Sequence, residues 1–191
     1  MRTKTLIIMK KQLIAAIVGG IIIFFWQFLS NAALDLHRPA QEYTPKQDTI
    51  LSFLQSQQLE PGRYFLPNTP KGASSEEQQA LMEKVEAKPW AIVDYHATWS
   101  NADMLINMAR GLLVDILMVW LFVWLITRNG TPSFSTIFMS AVVLGFIAFL
   151  NFPYAYFIWY KSPGIWSDFM DAIVAWAAAG VWLGWYLKRK A

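Results

Sequence analysis

The chain contains no cysteine and only two histidines among its 191 residues. Without thiols it has no disulfide, no zinc–thiolate centre, no thiol nucleophile and no lipoprotein anchor. Both histidines, His37 and His96, fall outside the apolar runs, which excludes a haem ligated by histidine inside them. No G-x-S-x-G, Walker, H-E-x-x-H or dinucleotide fingerprint occurs, so no known catalytic motif declares itself. Acids are scarce in a patterned way. Segments 1–11, 128–133 and 188–191 hold Arg2, Lys4, Lys10, Lys11, Arg128, Lys188, Arg189 and Lys190 and not one Asp or Glu.

Apolar residues are abundant: 55% of the chain is hydrophobic and 16% aromatic. Four runs are each long enough to cross a hydrocarbon core of roughly 30 Å at ~1.5 Å per residue. Basic residues beside spans are held on the cytoplasmic side, so the acid-free segments fix the orientation. The expected layout has a cytoplasmic N-terminus (1–11) and spans at 12–30, 104–127, 134–152 and 168–187. A periplasmic α+β insertion occupies 31–103, a cytoplasmic loop 128–133, a periplasmic aromatic loop 153–167 and a cytoplasmic C-terminus 188–191. The fold class expected is a four-helix transmembrane bundle in a bacterial inner membrane. Eight of the bases sit in the cytoplasmic segments and the other eight are outnumbered by acids outside, so nucleic acid is not a partner. Residues 1–32 also carry signal-peptide features, with small residues at Ser30 and Ala32. The run Leu13–Leu29 is longer than the ~7–15 residues usual there, which favours a retained span. Met9-Lys10-Lys11 reads as an alternative start.

Within the insertion the expected order is helix, strand, helix, strand. Thr44-Pro45 reads as a cap with proline at the first helical position, and Ile50, Leu51 and Leu54 recur at helical spacing. Ser74 and Glu77 form a capping box for a second helix to about Ala87. Residues 63–66 and 90–96 are the strand candidates. Ile50, Leu54 and Ile92 are expected to face inward. A core of this size is marginal, so the insertion is expected to rest on the membrane surface or a partner. Asp94 and His96 would share a strand face, but no further ligand completes a metal set, and an ordinary strand is expected.

Between lipid-embedded helices, close approach of small residues replaces the hydrophobic drive. Ala15/Gly19, Ala16/Gly20, Ala141/Gly145 and Gly180/Gly184 are the candidates. Thr131-Pro132 should cap the third helix and Pro153 should kink or end it before the aromatic stretch 154–160. Asp115 is the sharpest polar signal. A carboxylate near mid-depth costs ~2.5–3.5 kcal/mol on the insertion scale and needs a partner or a proton. Asn107, Gly111 and Asp115 fall at i, i+4, i+8. Arg110 is the nearest cation, and Asp171 opens the fourth helix, where an acid suits the N-terminus. The candidate intramembrane polar cluster is Asp115, Arg110, Asp171, Asn107 and Asn151. It either fixes helix register as a salt-bridged set or binds an ion, proton or small polar ligand, and the register reading is preferred.

The stretches LIAAIVGGIIIFFWQFLS, PGRYFLP and WYKSPGIWSDFMDAIVAWAAAG resemble a group of small bacterial four-helix inner-membrane proteins with no assigned activity. The resemblance implies the same topology and supplies no catalytic residues. The function expected is non-enzymatic: an accessory or assembly subunit contacting a membrane-protein partner or a second copy of itself in the lipid bilayer, with no cofactor or metal. The alternative is a small transporter-like or ligand-binding protein that uses Asp115.

Overall fold

A computed structural model describes the backbone of residues 2–189 and the side chains of residues 9–189. The side chains of Arg2, Lys4 and Lys190, which enter the orientation argument, lie outside the described residues. Helix α1 (Arg2–Phe28) runs on through a π turn at Leu29–Ala33. The other long helices are α4 (Asn101–Ile126), α5 (Phe134–Phe149) and α7 (Ile165–Lys188). Four segments are long and apolar enough to cross a membrane: Met9–Ala33, Asn101–Ile126, Phe134–Tyr160 and Ile165–Lys188. The chain divides into two compact units, 1–42 with 102–191, and 43–101.

The third span departs from expectation at both ends. Its cap is Ser133, not Thr131: Ser133 is extended and its hydroxyl accepts the Thr136 N–H at 3.1 Å, which leaves Pro132 outside the helix. Nor does Pro153 end it. A π turn at Leu150–Tyr154 takes in the proline, and α6 (Ala155–Tyr160) continues the helix. Widening one turn accommodates the ring and the missing N–H that would break a regular helix. The aromatic stretch is therefore helical, with Tyr156 and Tyr160 rings 4.7 Å apart one turn from each other.

Small residues set the packing of the bundle. A Cβ on Gly20 would sit 2.6 Å from the Ile116 backbone, and one on Gly19 would sit 2.8 Å from Val119. Gly180 lies against Ala141, and Gly184 against the Phe134 ring. Pairs 20/116, 15/182 and 141/180 place α1 antiparallel to α4 and α7, and α5 antiparallel to α7. The core is Ala15, Ala16, Val119, Val123, Ile137, Ala141, Ala179 and Leu183, with Phe122 edge-on to Trp176 at 5.6 Å. The bundle's insertion end carries the breaks at Ala33 and Asn101. The terminal end carries Lys11, the 127–133 connection and Arg189.

The second unit has the expected element order: α2 (Gln47–Ser56), β1 (Gly62–Leu66), α3 (Ser75–Val85) and β2 (Ala91–Tyr95). The strands pair antiparallel with Tyr64 opposite Val93. Both halves of the Ser74–Glu77 capping box form. Thr44-Pro45 does not cap α2. Thr44 Oγ1 accepts the Lys46 N–H at 3.3 Å in a turn before the helix, which starts at Gln47. Ile50 is 47% exposed instead of inward, while Leu54 and Ile92 are half-buried. Not one residue of 43–101 is buried.

Candidate functional site

Asp115 sits in the interior of α4, roughly 21 Å from its start at ~1.5 Å per residue, and is 2% exposed. Its partner comes from α1, not from its own helix. Gln27 Nε2 donates to Asp115 Oδ1 at 3.2 Å, and Oδ2 has no hydrogen-bond partner. Ser30, three residues on in the π turn, is also fully buried with its hydroxyl unpartnered. Unmet buried polar atoms are costly, so these two mark places where the fold gives up stability.

Trp26 precedes Gln27 and, ~100° round the helix, faces α7 instead of α4. Its Nε1 donates to Asp171 Oδ1 at 3.0 Å, and His37 Nε2 lies 2.7 Å from Asp171 Oδ2. Asp171 occupies the second turn of α7; the acid of the first turn is Asp168, which interacts electrostatically with both His37 and Asp171. The segment that brings His37 back over the bundle is tied down where the Ser167 hydroxyl donates to the Leu36 carbonyl. Asp171 and Asp168 thus lie with His37 at the insertion end, while Asp115 stands apart from them, deeper along α4, on the neighbouring Gln27.

Arg110 is not among them. It is exposed, and its guanidinium donates to Asn107 Oδ1 at 3.4 Å. The ion pair expected between Arg110 and Asp115 is not made, because Asp115 faces α1 while Arg110 lies on the exposed part of α4 with Asn107. Asn151 is exposed in the π turn. Of the five candidates the structure links Arg110 to Asn107, and joins Asp115 and Asp171 to residues that sequence reasoning passed over: Gln27, Trp26 and His37. Gln27 left a signal, being the one amide inside the apolar run of the first span. His37 left none, since its contact depends on a loop folding back.

A cavity of about 400 Å³ opens beside this cluster. Gln27, Asn31 and Asp171 line one part, and Ile23, Phe149 and Trp176 the rest. Among the described residues no group of three His, Cys, Asp or Glu could hold a metal ion. In the second unit Arg63 Nε and Nη2 bind Asp94 at 2.7 and 2.9 Å, and that guanidinium holds the Asp94 carboxyl below its ordinary value. Asp94 is occupied by an ion pair across the hairpin, as an ordinary strand position would be.

The bundle is thus a helical architecture with four helices long and apolar enough to span a membrane and a cavity that carries Gln27, Asn31 and Asp171. No protein-family model, curated protein or solved structure matches the chain.

Proposed function

We propose that the protein is a non-enzymatic accessory or assembly subunit of a bacterial inner membrane, with both termini cytoplasmic and residues 43–101 periplasmic. The observation that carries this reading is that the second unit has no fully buried residue, its Leu54, Tyr64, Leu81, Ile92 and Val93 being only half-buried. Tyr43 is 76% exposed, Met82 72% and Trp99 83%, and none of their neighbours in the unit is buried. A unit of this size that only half-covers its core side chains and leaves Tyr43, Met82 and Trp99 exposed is one half of an interface. The experiment is purification of the full chain in a mild detergent, beside a Phe53→Glu, Trp90→Glu variant. The wild type should co-elute with a stoichiometric partner or a second copy, and the variant should lose it with the bundle intact. Elution of both as the same lone protomer would refute the reading.

A second reading, a protein that binds an ion or small polar ligand in the bundle, is favoured by one specific observation. Asp115 has an amide and no cation for a partner. A carboxylate inside a span without a paired charge is by default a functional group.

A further inference from the structure

The polar wall of the 400 Å³ cavity offers acceptors. Gln27 uses one N–H of its side-chain amide on Asp115 Oδ1, and Asn31 uses one of its own on the Gln27 backbone carbonyl at 2.9 Å. A backbone carbonyl can only accept, as can an ionised carboxylate, so these partners fix the amides with their nitrogens on the protein. The side-chain oxygens of Gln27 and Asn31 are left to accept from a ligand. The third polar group on the wall is the carboxylate of Asp171. No lysine or arginine lines the cavity. Such a wall receives a donor with positive charge and repels an anion. A bare metal ion would leave most of the volume, walled by Ile23, Ala172, Ala175 and Trp176, without a partner.

The cavity also adjoins a second space. Met118, Ala148 and Trp176 line it and at the same time line an apolar groove of about 760 Å³ between α4 and α5, where Ser140 is the single polar residue. The groove follows α4 from Met118 to Ile126, about 12 Å at ~1.5 Å per residue, away from the insertion end. Its walls are long and flexible: Leu121, Leu125, Met139 and Ile147. Close helix contacts elsewhere in this bundle use glycine and alanine. The groove therefore suits a flexible hydrocarbon chain and not another helix.

We propose that cavity and groove form one site for an amphiphile with an ammonium head, its head on Asp171, Gln27 and Asn31 and its chain between α4 and α5. The inference rests on the second reading above and names its ligand class. The head and chain chemistry is shared by a free long-chain amine and by an aminophospholipid of the surrounding bilayer.

The test is calorimetric titration of the full chain in a mild non-ionic detergent with decylamine, butylamine and decanoate. Decylamine should bind one to one, butylamine at least ten-fold more weakly, and decanoate not at all. Asp171→Asn should weaken both amines at least ten-fold. Because Asp171 also holds Trp26 and His37, the exposed Asn31→Leu provides a second variant, with the same expected direction. Val143→Trp, which fills the groove, should weaken decylamine ten-fold and spare butylamine. In lipid nanodiscs, competition by phosphatidylethanolamine but not phosphatidylglycerol assigns the site to a lipid; no competition by either assigns it to the free amine. Equal binding of decylamine and decanoate overturns the proposal. Decylamine binding that ignores Val143→Trp overturns the groove while leaving an Asp171-dependent cation site, so the ligand class can fail without the second reading failing.

Discussion

The two units of this chain cover their apolar side chains in opposite ways. The bundle buries Ala15, Ala16, Val119, Ala141, Ala179 and Leu183 completely, with backbones brought together at glycines. The unit 43–101 buries no residue fully and leaves Leu54, Tyr64, Leu81, Ile92 and Val93 half-covered, although it carries a capping box and a paired hairpin. Local sequence signals are strong in the second unit and packing is partial, with the Phe65 and Trp90 rings 5.6 Å apart; in the bundle the packing is tight. Well-formed elements therefore do not by themselves make a fully buried core.

The sharpest way to break this contrast is a methyl group. Gly20→Ala would press a Cβ within 2.6 Å of the Ile116 backbone, which cannot rotate away. A loss of about 1–3 kcal/mol, the usual range for overpacking, is expected in thermal unfolding of the detergent-solubilised protein. Unchanged stability would mean that α1 and α4 do not meet there. Gly62→Ala is the matching change in the second unit, where the new Cβ meets nothing within 4 Å. It should stay within about ±0.5 kcal/mol.

Between these lies Asp115→Asn. The substitution keeps an acceptor for Gln27 and removes a charge from the interior of a span, so stability should change by less than about 1 kcal/mol or rise. Adding Arg110→Gln should be additive within about 0.3–0.5 kcal/mol, since the two side chains share no partner. Strong rescue by the second change would restore the ion pair expected from the sequence.

The smallest effect is expected at the hairpin. The Arg63 guanidinium holds Asp94 below its ordinary 3.8, against a smaller opposing desolvation, with a minor contribution from His96. A depressed carboxyl stabilises the fold above its unfolded value, and that stabilisation fades as pH falls through the lower folded one. Arg63→Gln should move the Asp94 titration, followed by NMR, up toward 3.8 and flatten the acid limb of hairpin stability. A titration that stays put would remove the ion pair from the account.

Much of the fold was legible because its causes are local. Apolar run length marks the four long helices, Ser74 and Glu77 mark a helix start, and the strand candidates 63–66 and 90–96 fall within a residue of the two strands. Small residues at four-residue spacing pointed to the faces that pack. The misses share a cause. Pro153 reads as a stop because nothing in sequence announces a π turn. Thr44 and Thr131 read as caps because cap preference does not say which of several adjacent residues becomes extended. Of the candidate site, Asp115 and Asp171 could be singled out by residue type, but their partners come from the first helix, 88 and 145 residues away, and from a returning loop. Arg110 was chosen as a partner by sequence proximity, and helical geometry turns it the other way.

The claim that the second unit is one half of an interface is the most directly testable, and the absence of cysteine makes the measurement clean. Single cysteines at Phe53, Met82 and Trp90 would be labelled with a membrane-impermeant maleimide in native membranes, in purified protein, and after reconstitution into vesicles of the same lipids. The account predicts protection in native membranes and rapid labelling in both purified preparations, because a protein partner has been removed. Equal, rapid labelling in all three would show that the surface stands uncovered and contradict it, and protection restored by lipid alone would replace the protein partner with the bilayer.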